Sequence, residues 1–230
     1  MKTNNSPENL FDKVLKKATL KQDVYSNTLN SFKLFKESVI EITEEFKKQL
    51  SPDEKRISFE YKDKGEFEFE MKFAGDVLIF VMHTNIFEFS RNHEVMRTSY
   101  IKEDNERSYC GVINIYNFLA DSFKYNREND LGYLIGRIFV NKEKHYFIEG
   151  KRELGWLYNN FPTSVINKEN AHDIIEKAIE YTISFDLLTP PYDAVKEVTV
   201  YDMQTSIDNM PISTGKRLGF KFQADQDGIK

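Results

Sequence analysis

Cysteine is almost absent from this chain. Cys110 is the single one, which excludes an internal disulfide, and one Cys with four His cannot build a Cys-rich zinc centre. No apolar run approaches the roughly 20 residues that a bilayer requires. The opening MKTNNSPENL lacks the apolar segment of a signal peptide. These absences predict a soluble protein of a reducing compartment, most simply cytoplasmic. Glycine-rich phosphate loops are missing too: Gly132 and Gly136 fall inside the apolar run 131–140, not between a strand and a helix. His83, His93, His145 and His172 include no pair at the i, i+4 spacing of a helical metal site, so each is read as structural and no metal site is expected. Basic charge is in deficit, with 32 Lys and Arg against 37 Asp and Glu, a net −5 and a pI near 5.5. That disfavours a broad footprint for nucleic acid or anionic lipid. No repeat, low-complexity tract or linker is visible.

What the chain has in quantity is aromatic side chains, 19 Phe and 12 Tyr within a hydrophobic content of 40%, enough for an aromatic core. The organising stretch is 66–83. Residues 66–73 alternate charged and apolar four times over, which places Phe67, Phe69, Met71 and Phe73 on one face of a strand. Ala74-Gly75-Asp76 is a turn, and 77–82 is continuously apolar, β-branched and aromatic. A two-residue Gly75-Asp76 turn would set Phe73 against Leu78, Met71 against Phe80, Phe69 against Met82 and, on the reverse side, Glu68 against His83. Apolar residues on both faces of the second strand imply that it lies inside the sheet, partly covered behind.

Before this hairpin, residues 7–50 carry a helical seam through Tyr25, Leu29, Phe32, Phe35, Val39, Ile42, Phe46 and Leu50. Ser6-Pro7 is a plausible start, and a break is expected near 21–23. The seam is read first as the lid of the sheet and second as a dimer surface. Ile57–Tyr61 adds a third meander strand, 86–89 is read as continuing the sheet or curling over its end, and 95–102 is read as a weak strand followed by a loop at 103–107. Segments 112–116, 131–140 and 145–148 read as further strands, with helical spacing over 117–125 and a Gly-marked irregularity in 131–140. The aromatic stretch 150–162 should be packed. Residues 168–188 form a helix capped by Asn167 and ended by Pro190-Pro191. The fold class is therefore α+β: one antiparallel, meander-rich sheet over about 57–150, packed by N-terminal helices and a C-terminal helix. Residues 1–203 are assigned to one domain, and 204–230 to a polar, partly disordered tail.

Two chemical patterns stand out. Strand 146–150 ends in Glu149-Gly150-Lys151. An apolar strand ending in Glu-x-Lys is used by Mg-dependent nucleases of the restriction-endonuclease-like class, where carboxylates hold Mg²⁺ and the Lys positions water. The second carboxylate would be Asp130, which precedes a strand where the pattern wants it to end one; the bland reading is a solvated strand end. Around the same strand Lys142, Lys144, Lys151 and Arg152 alternate with Tyr146, Phe147, Trp156 and Tyr158. Tyr146, Trp156, Tyr158, Lys144 and Arg152 are the candidate binding residues, although Glu143, Glu149 and Glu153 dilute the charge. Cys110 has no evident base and reads as a small buried hydrophobe.

Three functions follow. The preferred one is a non-catalytic cytoplasmic protein that binds another protein or a small ligand, without a cofactor, through an aromatic sheet surface or the helix seam. The second is a Mg-dependent nuclease or nucleotide hydrolase using Glu149 and Lys151. The third is a structural subunit of a bacterial assembly, a homodimer through residues 25–50.

Overall fold

The computed structural model describes residues 9–54, 56–150, 160–184 and 191–201. Helix α1 runs from Leu10 to Gln49. The seven strands are β1 (Phe59–Asp63), β2 (Glu68–Phe73), β3 (Asp76–Met82), β4 (Phe87–Glu88), β5 (Tyr109–Leu119), β6 (Tyr133–Asn141) and β7 (Tyr146–Gly150). They form one antiparallel sheet ordered β1-β2-β3-β5-β6-β7, with β4 paired to the start of β5. Short helices α2 (Ser99–Glu103) and α3 (Ala120–Lys124) precede and follow β5. Helices α4 (Lys168–Ile183) and α5 (Tyr192–Val195) come last. The fold is α+β, as the alternation of patterns implies.

Helix α1 is unbroken, contrary to the expected interruption near 21–23. The stretch 10–49 contains neither Gly nor Pro, and Leu20, Val24 and Thr28 carry the buried face straight through the supposed break. Asn9 caps it, its Oδ1 accepting from the Asp12 amide at 2.9 Å; the Ser6-Pro7 start lies outside the described residues.

The front face of the sheet carries Phe69, Met71, Phe73, Leu78, Phe80 and Met82, all buried, continued by Ile113, Ile115, Ile138, Val140, Tyr146 and Ile148. Phe67 is half-buried at its edge. α1 lays Phe32, Phe35, Val39 and Ile42 on this face, and α4 adds Ala171, Ile174, Ile175 and Ala178. The Phe69 and Phe80 rings stack at 4.6 Å, and Phe32 tilts onto Phe69 at 5.0 Å.

The β2–β3 register differs from expectation by two residues. Met71 pairs with Leu78, Phe69 with Phe80 and Glu68 with Val81, because the turn is Ala74-Gly75 and Ala74 takes φ +50°. A shift of two preserves the faces, so the buried set is unchanged. Gly136 marks the expected irregularity: Ile115 pairs with Gly136 but Tyr116 with Leu134, leaving Ile135 as the extra residue.

The segment expected to be a weak strand at 95–102 is instead helical. A 3₁₀ turn at Glu94–Arg97 and α2 are followed by a second 3₁₀ turn at Asn105–Ser108. Side chains of His93, Thr98 and Asp104 cap the three in turn, which outweighs β-propensity. This segment covers the reverse face of β5–β7. Val95, Tyr100 and Ile101 bury Cys110, Val112 and Phe139, with Phe89, Phe147 and Phe161 completing the cluster. β5 extends to Leu119, shortening the helix expected over 117–125 to α3. α4 is capped by Asn167 as expected and ends at Ile183 within the described residues. Residues 151–159, most of the aromatic stretch, and the tail from 204 lie outside them.

α1 approaches β5 most closely at Gly111, where a Cβ would stand 2.1 Å from Thr28 Oγ1. Gly111→Ala is therefore expected to cost about 1–3 kcal/mol of stability through overpacking, measurable by urea denaturation; an unchanged midpoint would refute the close approach.

Candidate functional site

The turn between β6 and β7 is held by a dense set of hydrogen bonds and ion pairs. Asn141 is fully buried, and its Oδ1 accepts from the amides of Glu143 and His145 at 2.9 and 3.0 Å. Its Nδ2 donates to the Tyr100 hydroxyl at 2.8 Å, which donates to Glu143 at 2.7 Å. Arg107 donates to Glu143 at 3.0 Å and to the Tyr100 carbonyl at 2.9 Å, with its guanidinium over the Tyr100 ring. Lys142 is held between Asp104 and Glu106 at 2.7 and 2.8 Å. From the other layer, Asn27 of α1 donates to the carbonyls of Asn141 and Lys142. The turn thus ties α1 to the segment covering the reverse face, and the residues are consumed by each other.

Burial alone would push Glu143 upward, but the bonds from Tyr100 and Arg107 outweigh it and hold its carboxyl below the ordinary range. The Lys142 ammonium does the same for Asp104 and Glu106. Lowered folded values mean that the clamp stabilises the protein fully above the ordinary carboxylate values and loses that contribution as pH falls through the lower folded ones.

Glu149, the carboxylate of the Glu-x-Lys pattern, sits on β7 opposite Arg137 of β6. Oε2 is bound by Arg137, and Oε1 lies 2.9 Å from His93 Nε2. His93 Nδ1 accepts from the Val95 amide, so in the neutral ring Nε2 carries the proton and donates to Glu149. Both oxygens are thereby engaged, and a guanidinium stands where a metal would neutralise the charge. Asp130 accepts from Ser122 at 2.6 Å in the loop before β6. Among the described residues, the one grouping of three potential metal ligands is His172, Asp173 and Glu176 on α4, and it includes neither Glu149 nor Asp130.

Of the candidate binding residues, Tyr146 is 2% exposed and belongs to the core, while Lys144 is exposed at φ +62° in the turn. Lys151, Arg152, Trp156 and Tyr158 lie outside the described residues. His83 packs edge-on against Phe87 and does not face Glu68, a consequence of the shifted register. Cys110 is buried, which pushes its thiol far above its ordinary value and leaves it unreactive.

The feature that the sequence reading passed over is the start of α1. Leu10, Phe11, Val14 and Leu15 are 78, 70, 59 and 53% exposed, and burial begins only at Leu20. The signal was present as an i, i+1, i+4, i+5 apolar pattern flanked by Lys13, Lys16 and Lys17. Lys16 reaches Glu106 at 3.4 Å and Lys17 lies 3.5 Å from the Tyr109 ring centroid, so those two lysines face the body. Two open grooves are also present. One of 270 Å³ is lined by Glu60, Lys62, Glu70, Lys72, Val77 and Phe123 among others; one of 240 Å³ lies beside Leu134, Gly136, Arg137 and Glu149. Both are smaller and more charged than ordinary small-molecule sites.

Two measurements check this geometry. Glu143→Gln is expected to lower stability by about 1–2 kcal/mol near neutrality, the range for a partly exposed charge-assisted network, and the difference from wild type should shrink as pH falls below the ordinary carboxylate range in denaturation series. Glu149→Ala should accelerate amide exchange of residues 93–97 without affecting binding of any partner; unchanged exchange would show that the His93–Glu149 tie holds nothing.

Comparison with family models, with curated proteins and with solved structures finds no match, so the geometry alone carries the functional argument.

Proposed function

We propose that this is a non-catalytic binding protein of a reducing, cytoplasmic compartment that engages a protein partner through the projecting start of α1. The observation that carries the reading is the exposure of Leu10, Phe11, Val14 and Leu15 on a helix otherwise packed along its length. An apolar stripe at helical spacing suits a groove that wraps a helix. Residues 10–21 hold four lysines against one aspartate in a chain of net −5, and Lys13 and Lys21 are not among the two that face the body, so a groove rimmed by carboxylates is the complementary receptor. The acidic remainder of the chain disfavours an anionic lipid surface. Two such stripes pairing with each other would oppose lysine to lysine, and the stripe from Leu10 to Leu15, about 9 Å long, offers less area than a stable dimer needs.

The aromatic sheet surface and the 25–50 seam are less suitable as docking sites. The rings of the sheet are enclosed by α1 on the front and by residues 89–108 and Phe161 behind. Phe32, Phe35 and Val39 of the seam are fully buried. The reading also fits Glu149 as a structural residue, and places no demand for a cofactor.

Phe11→Glu with Leu15→Glu is expected to leave the fold intact and to weaken the partner by about 100-fold or more, the equivalent of two lost apolar anchors. The partner captured from native lysate would be purified and its affinity titrated against wild type, this double variant and Glu149→Ala. Retained affinity in the double variant, or loss in Glu149→Ala, would overturn the assignment.

A further inference from the structure

The two edges of the sheet are treated differently. At β7 the start of the outer edge is occupied: the Tyr146 amide donates to the Ser164 carbonyl, and the Ile166 amide to that of Lys144 in the preceding turn. At β1 the described residues leave the outer edge without hydrogen-bond partners. The bonds Lys64 N–H to Glu68 O and Ala74 N–H to Ser58 O bracket the β1–β2 ladder. By the period of two, Glu60 and Lys62 therefore spend their backbone groups on β2, and Phe59, Tyr61 and Asp63 direct theirs outward. No hydrogen bond among the described residues uses those outward groups. An unpaired edge of this kind is a template for another strand.

We propose that β1 is the seam of a symmetric homodimer, pairing antiparallel with β1 of a second copy about Tyr61. Only residues 59, 61 and 63 offer outward groups, so a two-fold axis can fall at Glu60, Tyr61 or Lys62. An axis at Glu60 sets that carboxylate against itself, and one at Lys62 does the same with two ammonium groups. Like charges directly opposite are destabilising. An axis at Tyr61 sets Glu60 of each copy against Lys62 of the other, twice. The sequence Glu-Tyr-Lys is thus self-complementary in one register. The flank agrees. Lys36 of α1 bonds to Asp63 and Gly65, and Phe46 packs on Phe59, so this side of the helix overlies β1. Ile40, one turn beyond Lys36, is left 41% exposed there, and Ile57 just before the strand is 37% exposed. A second copy covers both and extends the six-strand path into one continuous sheet. The start of α1 stays outside this seam, so the inference does not depend on the partner-binding reading.

Light scattering across the micromolar range tests it. Wild type forms a dimer. Lys62→Glu and Glu60→Lys each self-associate at least tenfold more weakly, the effect of two like-charged pairs. Mixed one to one, the two variants recover a dimer, because every Lys then meets a Glu. Amide exchange supplies the second measurement: Phe59, Tyr61 and Asp63 are protected in the wild-type dimer and unprotected in either variant alone, while Phe69 and Phe80 stay protected throughout, which certifies the fold. A monomeric wild type, variants that stay dimeric, or a mixture that stays monomeric overturns the proposal.

Discussion

A sheet whose inner strands are apolar on both sides has no face to leave in water, and that constraint sets the rest of this structure. β5 places Ile113 and Ile115 forward and Cys110 and Val112 backward, and β6 does likewise with Ile138 and Val140 against Phe139. Two lids are therefore required. The first comes from an amphipathic helix long enough to reach β1, β2, β3, β5 and β6, helped by α4. The second has no comparable helix to draw on. It is made of the excursion between β4 and β5, three short helical turns each capped by a side chain just before it. Such turns bury few residues apiece, so their attachment has to come from elsewhere. The β6–β7 turn provides it through Asn141, Glu143 and Lys142, and Asn27 joins the same turn to the front helix. Both lids are thus fastened to one hairpin, and loss of its carboxylate charges at low pH loosens the weaker of the two.

Much of this was legible in the residues because it depends on period. The alternation of 66–73 identifies the buried face whatever the turn does, since an error of two residues in register leaves the same side chains inside. The helical seam of α1 and the α4 cap are read off in the same way. The failures share a cause as well. The expected break in α1 rested on a locally polar triplet, but polar residues at 21–23 sit on a face that has no need to be apolar. Residues 95–102 hold too few apolar positions for either period to show, and the conformation there is decided by His93, Thr98 and Asp104 as caps and by the sheet face beneath. The candidate binding residues were chosen for chemistry near a strand end. Among the described ones, Tyr146 points into the core and Lys144 stands exposed in the turn, while the neighbouring Lys142 is neutralised by Asp104 and Glu106, carboxylates more than 35 residues away in sequence; Arg152, Trp156 and Tyr158 lie outside the described residues.

The same logic explains why the Glu-x-Lys pattern carries little weight. A catalytic carboxylate must keep an oxygen available for metal or water. Glu149 gives one oxygen to Arg137 across the ladder and the other to His93, which anchors the start of the second lid. Its pairing is what a sheet edge beside a capped turn needs, and the charged composition of the chain makes such a coincidence common.

Two of the places left uncovered among the described residues differ in kind. At the start of α1 the stripe of Leu10, Phe11, Val14 and Leu15 is exposed apolar surface. The edge of β1 has side chains that are satisfied, Glu60 by Lys72 and Asp63 by Lys36, yet its outward backbone groups find no hydrogen-bond partner among the described residues. Apolar surface is relieved by anything that encloses it, so a helix end can accept partners of many shapes provided their charge is right. Backbone groups on an edge are relieved only by another strand in register, and Glu60 and Lys62 admit one symmetric register out of three. Selectivity at the helix therefore rests on shape and charge supplied by another molecule, whereas at β1 it is written into three consecutive residues of the chain itself.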